Sequence, residues 1–332
     1  MKRRDAPVVR ILFAIAIGVL AALTCLLATQ AQPPNHPADF GQVWFGATAL
    51  LHGANPYDLV GPGLVYDWPW PTLYPATSFV AAMPLALLPQ TEATLVFVFM
   101  SWALLAYSVT RDGWYRIPMF GSAACLDAAA AGQWSPLMTA AMGIPVLALF
   151  FAAKPTDGLA LGISGSDSVQ KYAVLGGAVL AVLSFIVFPG WVPAWLGQMK
   201  HSMYMAPPLL RLGGFAILLA ALRWRRPEAR MMLALSLVPQ AGAWYTVVPL
   251  FLIPNTMKES MVLATLTSVG FLLQDHILTA TNELEYNAQI GALLVAFAYL
   301  PCLVMVLRRP NEGRLPAWPS LTRVSVPKSA AT

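Results

Sequence analysis

Apolar residues fill this chain in long runs, broken by short polar or proline-rich stretches. The run from Ile11 to Leu27 has no charged residue, about the length that crosses a bilayer core as one helix. Similar runs follow at 72–89, 92–109, 117–131, 134–151, 172–188, 208–222, 229–241, 243–257, 259–274 and 288–307. Between 151 and 172 only the stretch "KPTDGLALGI" is available for one more crossing. Ten helical residues rise about 15 Å, half a hydrocarbon core, so this crossing is expected to be short or broken and packed inside protein. The pattern predicts an all-α polytopic membrane protein with about 10–12 transmembrane helices. Twelve segments is the preferred count, and ten, without the short crossing, is the rival. Residues 1–309 read as one membrane-embedded domain and 310–332 as a disordered cytoplasmic tail.

A second pattern sits in the first loop, about 30–71. Phe40, Val43, Trp44, Ala47, Leu50 and Leu51 recur at helical spacing, with Gln42, Thr48 and His52 elsewhere on the wheel. This predicts a short amphipathic helix lying flat among lipid headgroups. Asp39 followed three residues later by Gln42 fits a capping box, and Gly53 is a C-terminal stop. Asn55-Pro56-Tyr57-Asp58 reads as a turn held by side chains.

Composition agrees. Of 332 residues, 58% are apolar and 11% charged, against about 25% charged in an ordinary soluble domain. The basic start at Lys2, Arg3 and Arg4 also suits a secretory signal, but the first apolar run is longer than a signal core of about 7–15 residues, which favours a retained helix. Cys25, Cys125 and Cys302 lie in apolar runs and suggest neither a disulfide framework nor a metal site. The formal charge of +5 is concentrated at Lys2–Arg10, Arg223–Arg230, Lys258 and Arg308–Lys328. That is a positive-inside distribution rather than a nucleic-acid patch. With those clusters cytoplasmic, both termini are inside, Asp275–Asn287 is external, and 164–171 is internal. Arg111, Asp112, Arg116 and Lys154 then fall outside, while Asp127 and Gln133 fall near an inner end.

The chemistry narrows to a few residues. Asp39 is either a helix cap or an interfacial carboxylate able to take a proton from a sugar hydroxyl. Trp68, Trp70 and Tyr74 are either a headgroup belt or a platform for sugars. "ADFGQVWFGATALLHGANPYDL" followed by "LYPATSFVAAMPLALLP" resembles the first external loop and second helix of the family-87 glycosyltransferases. The family pattern is approximately D-F-x3-Y-x2-A-x3-L-x2-G-x2-P-Y-D, then Y-P-P and P-L-A-x-L-P. Looser matches are "GQWSPLMTAA", "AAKPTDGLAL", "WVPAWLGQM" and "LVPQAGAWYTVVPLFLIP". Three departures stand out: Tyr74-Pro75-Ala76 replaces Y-P-P, the aromatic after D-F is displaced to Trp44 or Phe45, and no histidine adjoins Trp244-Tyr245.

The resemblance implies a GT-C-like enzyme that transfers a hexose such as mannose from a polyprenyl-phosphate carrier to a lipid or glycan acceptor. The transfer would occur at the outer face of a bacterial inner membrane. It also implies that Asp39 is the catalytic base. Lys154, Arg211 and His201 are candidate contacts for the leaving phosphate, because the positive-inside rule disfavours cations on that side. They could equally snorkel to lipid headgroups. Tyr57, Tyr74 and Tyr245 lie in the matched stretches and complete the candidate substrate-binding set. No D-x-D pair appears, so no metal or other cofactor is expected. A transporter or lipid flippase, or a non-catalytic subunit of the same fold, is the alternative.

Overall fold

The computed structural model describes residues 7–31, 38–202 and 205–313, and over these the chain is nearly all helical. The expected tail is therefore placed only at its first few residues, and the basic start lies outside the described part. The α-helices in order are α1 (Pro7–Ala31), α2 (Phe40–Leu51), α3 (Ala76–Ala82), α4 (Gln90–Val109), α5 (Ala123–Ala130), α6 (Ser135–Ala140) and α7 (Pro155–Ser164). They continue with α8 (Asp167–Val187), α9 (Trp191–Met199), α10 (Pro227–Leu237), α11 (Met257–Ile277), α12 (Glu283–Leu294) and α13 (Leu300–Leu307). Tighter 3₁₀ segments at Pro145–Ala153, Gly214–Arg223 and Trp244–Leu252 act as further legs, and a π-helical turn at Val295–Tyr299 joins α12 to α13. A two-residue parallel ladder, Val60–Gly61 with Tyr66–Asp67, closes the first loop.

Four helical spans are long and apolar enough to cross a membrane: α1, α4, α8 and the continuous Glu283–Leu307. In α1 and α8 only 22% of the apolar window is buried, so both present hydrocarbon outward. In water such a surface would associate; in lipid it is the ordinary solvent-facing side.

The contacts define two ends. At one, here the basic end, Arg309 pairs with Glu228 at 3.3 Å and Glu259 at 2.7 Å, and donates to the Ile253 carbonyl at 2.8 Å. Arg223 donates to the carbonyls of Leu307 and Arg309 at 3.0 and 2.6 Å, and Arg116 to that of Leu252 at 2.9 Å. The Phe13 ring, near the start of α1, meets Trp114 at 5.3 Å. The opposite end carries the first loop, α3 and α9, tied by Trp195 Nε1 to the Leu73 carbonyl at 2.9 Å and Gln198 Nε2 to the Tyr57 carbonyl at 3.1 Å.

Helix α4 works as a ruler between these ends. Gly18 packs on Phe99, so α1 and α4 run antiparallel as a close pair. Gly132 lies beside Thr94 near the top of α4, and Ser108, near its foot, donates to the Ala140 carbonyl at 2.9 Å. The chain thus climbs through α5 to Gly132 and descends through α6 to the basic end. It climbs again through Pro145–Ala153 to Lys154 and descends through α7.

Two expectations are corrected here. The 72–89 run, interrupted by Pro75, Pro84 and Pro89, folds into the short α3 and a 3₁₀ turn, and it stays at the opposite end. There, the Leu88 carbonyl accepts from Trp44 Nε1 at 2.9 Å. The 134–151 run, broken at Gly143–Pro145, makes two short legs instead of one. The two errors cancel beyond Lys154 but invert everything between α4 and α6. Arg111, Asp112 and Arg116 consequently belong to the basic end, and Arg111 donates to the Gly143 carbonyl.

The expected amphipathic α2 forms, and Gly53 (φ +72°) stops it, with Gly53 N–H donating to Leu50 at 3.0 Å and Ala54 N–H to Ala49 at 2.9 Å. It does not lie on the surface, however. Phe40, Gln42, Val43, Gly46, Ala47 and Leu50 are buried in the protein. The Asn55–Asp58 turn is as the residues suggest: Asn55 Oδ1 accepts from Tyr57 N–H at 3.1 Å and Asn55 Nδ2 donates to Asp58 at 2.7 Å.

Candidate functional site

The reversal at Ala131–Trp134 builds the centre of the site. Gly132 has φ +61°, the left-handed region that glycine enters without a Cβ penalty, and a Cβ there would press on Ala38 at 3.2 Å and Phe40 at 3.5 Å. The Asp39 N–H donates to the Ala131 carbonyl at 2.8 Å, which fixes the entry to α2. Trp134, 2% exposed, packs edge-on to Phe97 at 4.8 Å, and Phe97 stacks on Phe40 at 4.1 Å. These aromatics hold α2, α4 and the reversal in one geometry.

On that base, the Asp39 carboxylate accepts from Gln133 Nε2. It makes no capping bond to α2, so the capping box with Gln42 is not formed. The carboxylate that would serve as a cap is turned into the protein. Gln133 Oε1 accepts from Lys154 Nζ at 3.1 Å. Lys154 also donates to Ser135 Oγ at 3.1 Å and pairs with Asp157 at 3.3 Å. Ser135 in turn donates to Asp157 at 2.5 Å. The Lys154 ammonium lies 5.1 Å from the Tyr245 ring centre, and Tyr245 N–H donates to Asp127 Oδ2 at 2.9 Å. Tyr74 is within hydrogen-bonding reach of Gln133, and its carbonyl accepts from the Tyr57 hydroxyl at 3.1 Å.

Lys154 owes its place to the junction between Pro145–Ala153 and α7. Thr77 Oγ1 donates to the Ala152 carbonyl at 2.6 Å and Ser78 Oγ to that of Ala153, which anchors this junction to α3. Three contacts use the three N–H donors an ammonium has.

Accessibility divides the cluster. Gln133, Ser135 and Asp157 are each no more than 2% exposed and form a floor. Asp39, Tyr74, Lys154 and Tyr245 are only partly buried and form the rim. Dense protein around Asp39 pushes its carboxyl up to about 7; Lys154 pulls against this, and the charge of Asp127 adds to it. Asp39 therefore changes charge near neutrality, where a general base is most useful.

Of the candidates, Asp39, Lys154, Tyr74 and Tyr245 come together, with Tyr57 behind Tyr74. Arg211 sits elsewhere, buried against α12, where a Cβ on Gly291 would lie 2.7 Å from its Nε. His201 is exposed beyond α9. The charges that bear on Asp39 among the described residues are those of Lys154 and Asp127. Gln133, Ser135, Asp127 and Asp157 join the cluster around Asp39, although the sequence alone does not single them out. The inverted α4–α6 topology put the first three at the wrong end, and Asp157 gave no signal beyond i,i+3 spacing from Lys154. Among the described residues no three His, Cys, Asp or Glu side chains converge as metal ligands would.

No family model matches this chain, and no curated protein or solved structure is significantly similar to it.

Proposed function

We infer that this chain is a GT-C-like membrane glycosyltransferase, moving a hexose from a polyprenyl-phosphate carrier to a lipid or glycan hydroxyl. One observation carries the reading: a mostly buried carboxylate poised near neutrality, backed by the buried Gln133 amide and the Lys154 ammonium. An inverting transfer needs a base for the acceptor hydroxyl, and Asp39 meets that need. As the acceptor oxygen attacks the sugar's anomeric carbon, its proton passes to Asp39 and the bond to the carrier phosphate breaks. Lys154, whose charge acts on Asp39, offsets charge on the departing phosphate by giving up one of its three contacts. Tyr74 and Tyr245 flank the sugar. Preorganised charge in a water-poor site supplies most of the acceleration.

The orientation follows from charge. The basic end carries Arg223, Arg225, Arg226, Arg230, Arg308 and Arg309, now joined by Arg111 and Arg116, and the positive-inside rule makes it cytoplasmic. The site then opens on the outer side, reached by a lipid carrier along the exposed apolar faces of the bundle.

A transporter is the second reading. It is favoured by the ionisable groups within the protein, Lys154, Asp157 and Asp127, because such groups in a membrane protein often line a pathway. Mass spectrometry of cell glycolipids and glycans with and without the gene separates the two. The transferase reading expects a one-hexose difference, restored by the parent sequence and not by Asp39→Asn. Restoration by Asp39→Asn would sink it.

A further inference from the structure

Gln133 stands between the two groups of opposite charge that matter most in the site. A direct Asp39–Lys154 ion pair would hold the carboxylate ionised but cost it basicity, since an opposite charge in contact lowers a carboxyl pKa by about 1–3 units. Here the pair is separated by one amide. Its orientation is not arbitrary, because Lys154 is donor-only, so Gln133 must turn its carbonyl to the ammonium. That leaves the NH₂ facing Asp39, which can accept it only through a carboxylate oxygen. Lys154 is itself held by Ser135 and Asp157, and Gln133 is 2% exposed with Trp134 wedged against Phe97 beside it. The amide therefore has one available orientation.

We propose that Gln133 is the positioning residue of this site: polarised by Lys154, its amide fixes one oxygen of Asp39 and leaves the other, without a partner among the described residues, to the acceptor proton. It touches neither sugar nor phosphate. This inference rests on the glycosyltransferase reading for its catalytic consequence, and on geometry alone for its effect on Asp39.

The test uses the full-length protein in lipid nanodiscs and the variants Gln133→Met, Gln133→Asn and Asp39→Asn. Infrared titration identifies the Asp39 carboxyl as the band absent in Asp39→Asn. Removing the donor in Gln133→Met should raise its titration midpoint by about one unit, since a hydrogen bond to the ionised form is lost. Transfer of radiolabelled mannose from a C55 polyprenyl-phosphate carrier, with membranes from gene-deleted cells as acceptor, should show its rising pH limb displaced by the same amount. Below that limb the rate should fall about tenfold, with donor KM unchanged. Gln133→Asn, which keeps the amide but shortens it by one methylene, covers the case in which the Met variant fails to fold. The same upward displacement is expected, by a smaller amount.

A parental Asp39 midpoint in whichever variant folds overturns the proposal. A displaced midpoint with transfer surviving in Asp39→Asn retains Gln133 as the group that sets Asp39 but ends the glycosyltransferase reading. The two failures are therefore distinct.

Discussion

Asp39 sets the behaviour of the site at the scale of single residues, and its neighbours Asp127 and Lys154 should move it in opposite directions. Asp127 adds negative potential to a carboxylate already raised by burial. Replacing it in Asp127→Asn should lower the Asp39 pKa below about 7 and move the rising limb of the rate toward acid, while Asn still offers an oxygen to Tyr245 N–H. Lys154→Met should do the reverse. It should also strand the buried Asp157, a loss of about 3–5 kcal/mol for a broken buried pair. The two pH profiles, with melting temperatures beside them, check both statements.

Linkage gives a stability counterpart. The folded pKa of Asp39, about 7, lies above its ordinary 3.8, so the folded chain binds this proton more tightly. Its contribution to stability is complete below 3.8 and is lost as pH rises through about 7. Asp39→Asn cannot lose that proton and should melt no lower than the parent at alkaline pH, even while inactive.

At the element scale, the legible parts of the sequence were those where pattern and local chemistry agree. α1, α4, α8 and the last span follow from uninterrupted apolar runs, α2 from helical spacing ended by Gly53, and the Asn55–Asp58 turn from its residue types. The "KPTDGLALGI" stretch forms the ten-residue α7, packed against Pro145–Ala153, as a segment too short for a full crossing suggests. What could not be read was where an apolar run stops being one element. Hydropathy gives the same value to 72–89 whether it crosses or folds back, because legs packed in protein need not span a bilayer individually. The site inherited this gap. The structure brings Asp39, Lys154, Tyr74 and Tyr245 together, whereas Gln133 escapes the sequence reading because an expected crossing at 72–89 puts its reversal at the other end. Gly132 was the available signal, since a glycine between Ala131 and Gln133 suits a left-handed turn.

That turn makes a prediction of its own. Ala at position 132 would hold φ +61° against its preference and bring its Cβ to 3.2 Å from that of Ala38. A left-handed non-glycine residue costs about 1–2 kcal/mol. Gly132→Ala should lower the melting temperature modestly and lower transfer far more, since Asp39 and Gln133 are both held by this reversal. A transfer rate reduced only in proportion to folded protein would show that the reversal does not position the site.

At the scale of the whole molecule, the arrangement turns on which side of the membrane the site faces. The basic end is stitched by Arg309, Arg223 and Arg226 to Glu228, Glu259 and backbone carbonyls, so its charge clamps the ends of α10, α11 and α13, and under the proposed orientation it also faces the cytoplasm. Asp112, exposed beside Arg111, belongs to this end, whereas a crossing at 72–89 would have put it outside. Val65, 75% exposed in the first loop, belongs to the other. The native Cys25, Cys125 and Cys302 are at most 1% exposed and give little background to a thiol probe. In spheroplasts, a membrane-impermeant maleimide should label Val65→Cys directly and Asp112→Cys only after lysis. The reverse pattern would place Asp39 in the cytoplasm, where an outward-facing lipid-linked sugar cannot reach it. Labelling of both from outside would instead mean that 72–89 crosses, that α4 runs the other way, and that Gln133 cannot meet Asp39.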